Sequence, residues 1–269
     1  MKRALRTAVL AAAGAVACAP AMTASERART EGWEMPVPAP GRQVSAAFER
    51  TVSRTFTGRY HLFLPADYDP DGAYPLLLFL HGAGERGSDL EKVALHGPPR
   101  LVRERPEDFP FIVVSPQVPD DRIWSIAQLD ALLDEIMARH AVDEDRVYVT
   151  GLSMGGYATW HLAFEFPHRF AAIAPVSGGG TITGACTIRH LPVWAFHGDL
   201  DDIVPPTRSE ELVDRLRGCD GHVRFTLYPD AGHDAWTRTY DNPELYRWLL
   251  THRRGAPGPR DATPDTRQR

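Results

Sequence analysis

One serine of the chain stands in a pentapeptide that is typical of nucleophilic catalysis. Gly151, Ser153 and Gly155 match the pattern G-x-S-x-G. The pattern alone is weak, but here it follows the apolar segment RVYVT and precedes a helical pattern, which is the setting of a nucleophile elbow. Such a turn lifts the Ser153 hydroxyl clear of a sheet. It also places the Met154 N–H at a helix N-terminus, where it can bind a developing oxyanion.

A second oxyanion donor is predicted in a glycine-rich loop after an earlier apolar segment. The loop reads HGAGERG over residues 81–87, and its small residues let a substrate carbonyl approach the backbone. We assign the donor to the N–H of Ala83. A phosphate-binding loop is excluded because no G-K-[ST] follows. Glu85 and Arg86 are expected to form a local ion pair that fixes the loop.

The base and the acid are predicted from chain order. A serine hydroxyl is a poor nucleophile until a base takes its proton. In the order Ser, Asp, His, the histidine follows the last strand, and His233 is the histidine there. The acid follows a strand between them, where the loop after VWAF offers Asp199, Asp201 and Asp202. One of these would orient the imidazole and stabilise its charged form. His197, in the same loop, is expected to support the turn.

The elements that must position these residues alternate between strands and helices. Strands are predicted at residues 58–64, 75–80, 111–114, 147–150, 170–176, 193–196 and 223–228. Helices are predicted at residues 126–140, 155–166, 207–217 and 244–253. This alternation is typical of βαβ crossovers and predicts an α/β fold with a mostly parallel central sheet flanked by helices. Residues 177–192 are too few and too rich in glycine to form a helical lid.

Composition excludes several classes of protein. The chain of 269 residues is 43% hydrophobic and 24% charged, which excludes wholesale disorder and collagen-like structure. Its net charge of −5 argues against a nucleic-acid partner, which requires a basic surface. A metal hydrolase is disfavoured because the chain has no H-E-x-x-H motif.

The N-terminus has the pattern of a targeting segment. Basic residues precede a short apolar run, which predicts a signal peptide over residues 1–17 and an exported protein. The sequence AVAC, ending at Cys18, resembles a bacterial lipobox. Lipidation of Cys18 would attach the protein to a membrane, whereas cleavage near Ala19, Ala21 or Ala24 would release it. Residues 18–43 are expected to be a flexible tether, residues 44–254 a catalytic domain and residues 255–269 a disordered tail.

Four further residues are candidates for structural or binding roles. Export permits one disulfide between Cys186 and Cys219, and two free thiols remain the alternative. Trp124 and Trp236 follow segments that should end near the serine. Each lines a substrate pocket or packs in the core or at the rim.

Four segments carry a resemblance to a known superfamily. They read FLHGAGERGSD, VYVTGLSMGGYATWHLAFEFPHRFAAIAPVSGG, VWAFHGDLDDIVPP and GHDAW. Together they resemble α/β-hydrolases, and within them the bacterial dienelactone-hydrolase-like esterases, related to carboxylesterases and polyester depolymerase-like esterases. The resemblance covers about residues 55–254.

The resemblance implies a reaction and roles for five residues. Ser153 would be the nucleophile, His233 the base and Asp201 the acid. Asp201 is the residue that falls on the Asp of the family pattern H-G-x-x-D-x-x-V-P. Ala83 and Met154 would be the oxyanion donors. The implied reaction is hydrolysis of a small carboxylic ester through an acyl-enzyme, with no cofactor. The alternatives are a serine peptidase of the prolyl-oligopeptidase type and a non-catalytic binding protein on the same fold.

Overall fold

The computed structural model describes residues 51–256. The predicted signal peptide and the tether with Cys18 lie outside the described residues, as does the predicted tail after residue 256. The chain divides into compact units of residues 1–55 and 56–269. In the first unit, the described residues 51–55 are exposed and form neither helix nor strand. The second unit contains the described helices and strands.

The described strands of the second unit form a seven-stranded sheet. They are β1 (Arg59–Phe63), β2 (Tyr74–Leu80), β3 (Ile112–Gln117), β4 (Val142–Leu152), β5 (Ala172–Val176), β6 (Val193–Gly198) and β7 (Val223–Tyr228). Their order is β1-β3-β2-β4-β5-β6-β7, with β1 antiparallel to β3 and every other pair parallel. The mostly parallel sheet confirms the predicted fold class. The carboxyl ends of β2 to β7 therefore meet at one edge, called the carboxyl edge below.

The described α-helices flank this sheet. They are α1 (Gly97–Glu104), α2 (Ile126–Arg139), α3 (Met154–Glu165), α4 (Thr207–Arg217), α5 (Trp236–Asp241) and α6 (Pro243–Leu250). Short 3₁₀ helices span Ala83–Glu85, Leu90–Leu95, Pro106–Asp108 and Ile182–Ile188. The predicted bounds of α2, α3 and α4 are correct to within one residue. The predicted helix over residues 244–253 was drawn too long, since α6 ends at Leu250, and α1 and α5 were not predicted.

Strand β2 separates two hydrophobic cores. Leu76, Leu78 and Leu80 face one core, whereas Leu77 and Phe79 face the other, and all five are fully buried. A strand covered on both faces has this continuous apolar character. Helices α2, α3 and α4 cover the first face and α1, α5 and α6 cover the second, which gives three layers.

Cys186 and Cys219 form a disulfide, with their Cα atoms 5.9 Å apart. Cys186 lies in the 3₁₀ helix before β6, and Cys219 follows α4 a few residues before β7. The bridge therefore lies toward the amino ends of these strands, opposite the carboxyl edge. Within residues 51–256, no helix combines the length and apolar character that crossing a bilayer requires.

Candidate active site

Ser153 occupies a strained turn between β4 and α3. Its backbone angles are φ 52° and ψ −116°, a conformation that residues with side chains rarely adopt. The neighbouring glycines make room for this turn. A Cβ on Gly151 would collide with the carbonyl of Gly155, and a Cβ on Gly155 would collide with the carbonyl of Leu80. The start of α3 therefore packs directly on the end of β2, as a nucleophile elbow requires.

Three side chains from separate loops meet at the carboxyl edge. Ser153 Oγ lies 2.9 Å from His233 Nε2, and His233 Nδ1 lies 2.7 Å from Asp201 Oδ2. A carboxylate only accepts hydrogen bonds, so His233 donates its Nδ1–H to Asp201. Its Nε2 is then free to accept the Ser153 hydroxyl hydrogen. This arrangement can take a proton from the serine and hold the resulting charge beside Asp201.

The structure distinguishes Asp201 from the other two carboxylates of its loop. Asp199 and Asp202 are exposed, whereas the Asp201 side chain is buried. Its Oδ1 accepts the N–H groups of Ile203 and Val204 at 3.0 and 2.8 Å. Burial raises the pKa of Asp201, but the hydrogen bonds from His233, Val204 and Ile203 outweigh this and hold the pKa below its ordinary value. The group is therefore a carboxylate at neutral pH.

His197 lies against the same carboxylate. Its Nε2 is 2.8 Å from the carbonyl of Val204 and 3.2 Å from Asp201 Oδ2, and its Nδ1 is 2.8 Å from Ser209 Oγ. Burial lowers the pKa of His197, which favours the neutral ring. A neutral ring can share its Nε2–H between Val204 and Asp201. His197 thus fixes the turn that carries Asp201, as expected from the sequence.

The two assigned oxyanion donors lie beside Ser153. Met154 follows the serine and is the first residue of α3. Ala83 begins the 3₁₀ helix after β2, next to Gly82, where an added Cβ would lie 3.5 Å from the Ser153 Cβ. The loop backbone therefore comes close to the nucleophile. N–H groups in these positions are suited to stabilising a negative oxygen.

The predicted ion pair between Glu85 and Arg86 is replaced by contacts with the backbone. Glu85 is buried, and its Oε2 accepts the Gly82 N–H at 2.9 Å. Arg86 donates from Nε to the Ala83 carbonyl at 3.0 Å. A tight turn leaves several peptide groups without backbone partners, and both side chains satisfy such groups. They fix the loop, as expected, but by a different contact.

Residues 113–246 match the model of the dienelactone hydrolase family. The chain is 35% identical to a thermostable esterase of known structure, with a TM-score of 0.67 over 72% of this chain and 59% of that one. Residues 113–246 are therefore a dienelactone hydrolase family domain, and the chain has the α/β-hydrolase fold.

Curated relatives of this α/β-hydrolase have names that describe esterases and a depolymerase. A bifunctional acetylxylan esterase/xylanase from Neocallimastix patriciarum is 27% identical over 70% of this chain, which spans 27% of that protein. A poly(3-hydroxyoctanoate) depolymerase from Pseudomonas fluorescens is 31% identical over 54% of this chain and 60% of that protein. The chain spans less than two thirds of the length of each of these proteins.

The two tryptophans of this α/β-hydrolase have different environments. Trp124 is only 9% exposed, packs in the core between the sheet and α2, and donates from Nε1 to the His81 carbonyl at 3.1 Å. Its indole N–H therefore bonds the loop that carries Ala83, and its ring belongs to the core. Trp236 is half-buried and packs edge-on to His233, with ring centroids 5.1 Å apart. Trp236 therefore borders the site.

Sequence reasoning missed Ser177, which supports the loop of His233. Ser177 is fully buried, has φ 47°, and donates from Oγ to the His233 carbonyl at 3.0 Å. It therefore holds the loop that carries the imidazole. A usable signal was its place directly after β5, where the loops of a parallel sheet converge on the site.

A set of exposed apolar side chains in carboxyl-edge loops was also missed. Leu200 and Ile203 flank Asp201 and are 64% and 68% exposed. Ile123 precedes Trp124 and is 73% exposed, and Leu95 precedes His96, whose ring lies against Trp236. Such side chains can contact the apolar part of a substrate.

The connection between β5 and β6 of this α/β-hydrolase contains no inserted α-helix. Between β5 and β6 the chain forms only the 3₁₀ helix Ile182–Ile188, whose Gly184 packs on Phe164 of α3. In residues 51–256, no three His, Cys, Asp or Glu side chains are grouped to hold a metal ion.

Proposed function

We propose that this α/β-hydrolase cleaves carboxylic esters with Ser153 as nucleophile, His233 as base and Asp201 as the orienting acid. The observation that carries the proposal is the continuous hydrogen-bonded chain from Ser153 Oγ through His233 to Asp201. It begins at the strained elbow, where Ser153 has a positive φ, and backbone strain of this kind is typical of functional sites. The esterase relatives and the dienelactone hydrolase match support the same reaction class.

The reaction proceeds in two displacements at the ester carbonyl. His233 Nε2 takes the hydroxyl proton as Ser153 Oγ bonds to the carbonyl carbon. The N–H groups of Ala83 and Met154 bind the resulting oxyanion, and Asp201 stabilises the imidazolium. His233 then gives the proton to the departing alcohol, which leaves an acyl-Ser153. A water molecule repeats the sequence and releases the carboxylic acid.

The substrate is a small ester with a short-chain or compact acyl group. The short connection between β5 and β6 builds no cover over the site, so the substrate reaches Ser153 from solvent. The exposed apolar side chains around Asp201 and Trp124 suit an ester with an apolar part. The relative named as an acetylxylan esterase supports acetyl as one candidate acyl group.

Purified protein tested on p-nitrophenyl acetate, feruloyl esters, acetylated sugars and aminoacyl anilides decides the proposal. We expect ester turnover that Ser153→Ala reduces by about 10³-fold or more. Ser88→Ala is the matched control, because Ser88 contacts Arg59 only through its backbone carbonyl. Anilide cleavage faster than ester cleavage would favour a peptidase. A folded Ser153→Ala protein within tenfold of wild type would refute the triad.

We also propose that the protein is exported and attached to a membrane through lipidated Cys18. The support is the basic and apolar pattern of residues 1–17 followed by the AVAC sequence. Cys18→Ser should move the protein from the membrane fraction to the soluble fraction of the producing cell. Equal distribution of the two forms would favour simple secretion.

A further inference from the structure

His81 contacts the peptide group that bears the proposed oxyanion donor. The residue directly follows β2 and is fully buried. Its Nε2 accepts the N–H of Val118 at 3.0 Å. A backbone N–H only donates, so the ring hydrogen of neutral His81 is on Nδ1. That Nδ1–H donates to the Gly82 carbonyl at 2.6 Å. Burial lowers the pKa of His81 to about 4, so the ring is neutral at the pH of most assays.

The Gly82 carbonyl and the Ala83 N–H belong to one planar peptide group. In a trans peptide they point in opposite directions within that plane, and the chain has no cis peptide among its described residues. A side chain that fixes the direction of the Gly82 oxygen therefore also fixes the direction of the Ala83 N–H. His81 is not one of the three proposed triad residues, but its hydrogen bond to the Gly82 carbonyl fixes the direction of the Ala83 N–H.

Glu85 holds the preceding peptide group from the other side. Its Oε2 accepts the Gly82 N–H at 2.9 Å, so both peptide groups that include Gly82 are bonded to buried side chains. Glu85 is itself held, because Gln117 donates from Nε2 to its carbonyl at 2.8 Å. A Cβ on Gly82 would lie 2.7 Å from Leu152 Cδ1, so the loop also has little room to move toward the elbow.

We propose that His81 and Glu85 are positioning residues that clamp Gly82 so that the Ala83 N–H points at the oxyanion. Neither side chain touches the substrate. The clamp rests on the proposed function, since it acts only when a carbonyl oxygen becomes negative beside Ser153. Its loss lowers the rate of acyl transfer and leaves ground-state binding almost unchanged. The reason is that a donor aimed at the transition state binds its negative oxygen more strongly than it binds the uncharged ester carbonyl.

An exchange of sulfur for oxygen at the reacting carbonyl tests the clamp. The substrates are p-nitrophenyl acetate and its thiono analogue, in which C=S replaces C=O. Sulfur is larger and a weaker hydrogen-bond acceptor, so a well-aimed donor favours the oxygen ester. For His81→Leu we expect kcat on the oxygen ester to fall by about 10- to 100-fold, with KM changed by less than about threefold. The ratio of kcat/KM for oxygen over sulfur should fall by about tenfold.

Conservative variants separate positioning from packing. His81→Asn keeps an N–H near the place of Nδ1, and Glu85→Gln keeps an oxygen that can accept the Gly82 N–H, so both should retain most of the wild-type ratio. Glu85→Leu should lower it. His190→Asn is the control, since His190 stacks on His168 at the other end of the sheet. Circular dichroism checks that each variant is folded. If His81→Leu or Glu85→Leu is unfolded, the leucine and conservative variants at the other position decide.

Two results would overturn the clamp. Equal losses on the two esters in the leucine variants would mean that the changes act on packing or on Ser153 itself. Unchanged activity on both esters would mean that the loop needs no clamp. A wild-type protein that hydrolyses neither ester would instead refute the proposed function.

Discussion

His197 and His233 both contact the same oxygen of Asp201. His233 Nδ1 lies 2.7 Å from Oδ2, and His197 Nε2 lies 3.2 Å from it. The remaining oxygen accepts two backbone N–H groups from the following turn. The acid is therefore saturated with donors. Of its two histidine partners, His197 is fully buried and His233, the group whose charge changes in the proposed reaction, is partly exposed.

This saturation predicts a strong difference among the three carboxylates of the loop. Asp201→Asn should lower kcat/KM by about 10³- to 10⁴-fold, because the amide can no longer hold the His233 tautomer. Asp199→Asn and Asp202→Asn are matched controls, and we expect changes of less than about threefold because both residues are exposed. Steady-state kinetics on p-nitrophenyl acetate measures all three. Greater sensitivity at Asp199 or Asp202 would contradict the assignment of the acid.

Ser177 is predicted to affect the base without touching the substrate. Ser177→Gly keeps the positive φ accessible and removes only the hydroxyl that bonds the His233 carbonyl. We expect kcat to fall several-fold and the free energy of unfolding to decrease by about 1 kcal/mol. Asp220→Gly is the control, since Asp220 also has a positive φ, of 57°, but lies after α4 and away from the site. A Ser177→Gly enzyme with wild-type kcat would show that the hydroxyl is dispensable.

The buried ring of His81 predicts a dependence of stability on pH. Its pKa falls from an ordinary value of 6.5 to about 4 on folding, mainly because burial disfavours the charged ring. Between these two values the unfolded chain binds the proton and the folded chain does not, so stability falls as the pH falls from 6.5 to 4. The loss due to this group is roughly 3 kcal/mol and is complete below pH 4.

Urea unfolding of wild type and His81→Asn across this pH range isolates the contribution of His81. As the pH falls from 6.5 to 4, the free energy of unfolding should decrease more for wild type than for His81→Asn, which lacks the titrating ring. A difference that stays constant from pH 7 to 4 would mean that His81 titrates alike in both states. Other acid-sensitive groups, including His197 and Asp201, are present in both proteins and cancel.

The disulfide predicts a change in stability without a change in chemistry. Cys186 and Cys219 are 33 residues apart, and closing such a loop stabilises the fold by roughly 3–4 kcal/mol in the chain-entropy model. The double variant Cys186→Ser, Cys219→Ser should unfold at lower urea and keep wild-type kcat, because the bridge lies opposite the carboxyl edge. Two free thiols titrated in unfolded wild-type protein without reductant would contradict the bridge.

Sequence reasoning located the elements that carry a strong periodic signal and missed those held by tertiary contacts. The strand PLLLFL and the helix over residues 126–139 are recognisable because burial imposes their patterns. Helix α1 begins with Gly97, Pro98 and Pro99, which signal a turn more than a helix, and it is stabilised by packing on the sheet. Helix α5 has only six residues, too few for a periodic pattern.

The same distinction applies to the site. The proximity of Ser153 and His233 could be predicted because chain order and the elbow pattern limit the choices. Reasoning from the residues alone left three acids open, since only the fold shows which carboxylate is buried. The contacts of His81, Glu85 and Ser177 join segments far apart in the chain or turn side chains back on their own loop. No local pattern encodes such contacts.

The open carboxyl edge predicts how the rate depends on acyl length. Lids that cover the sites of lipases are built from inserted helices, and here the connection after β5 holds only a short 3₁₀ helix. The exposed side chains of Ile123, Leu200 and Ile203 offer apolar contact at the rim, where a short acyl chain suffices to reach them. We therefore expect kcat/KM on p-nitrophenyl esters to be highest from acetate to butyrate and to fall toward palmitate.

The dependence on substrate concentration separates an open site from a covered one. For an open site, the rate should follow one saturation curve through the solubility limit of the ester, because no conformational change awaits an interface. Leu200→Ser with Ile203→Ser should reduce the rate on butyrate more than on acetate, since only the longer acyl chain can reach the rim. Val52→Ser is the control, because Val52 is equally exposed but lies in residues 51–55, before the first strand. A maximum at long chains, or a rise in rate when droplets form, would show that some segment of the chain covers Ser153.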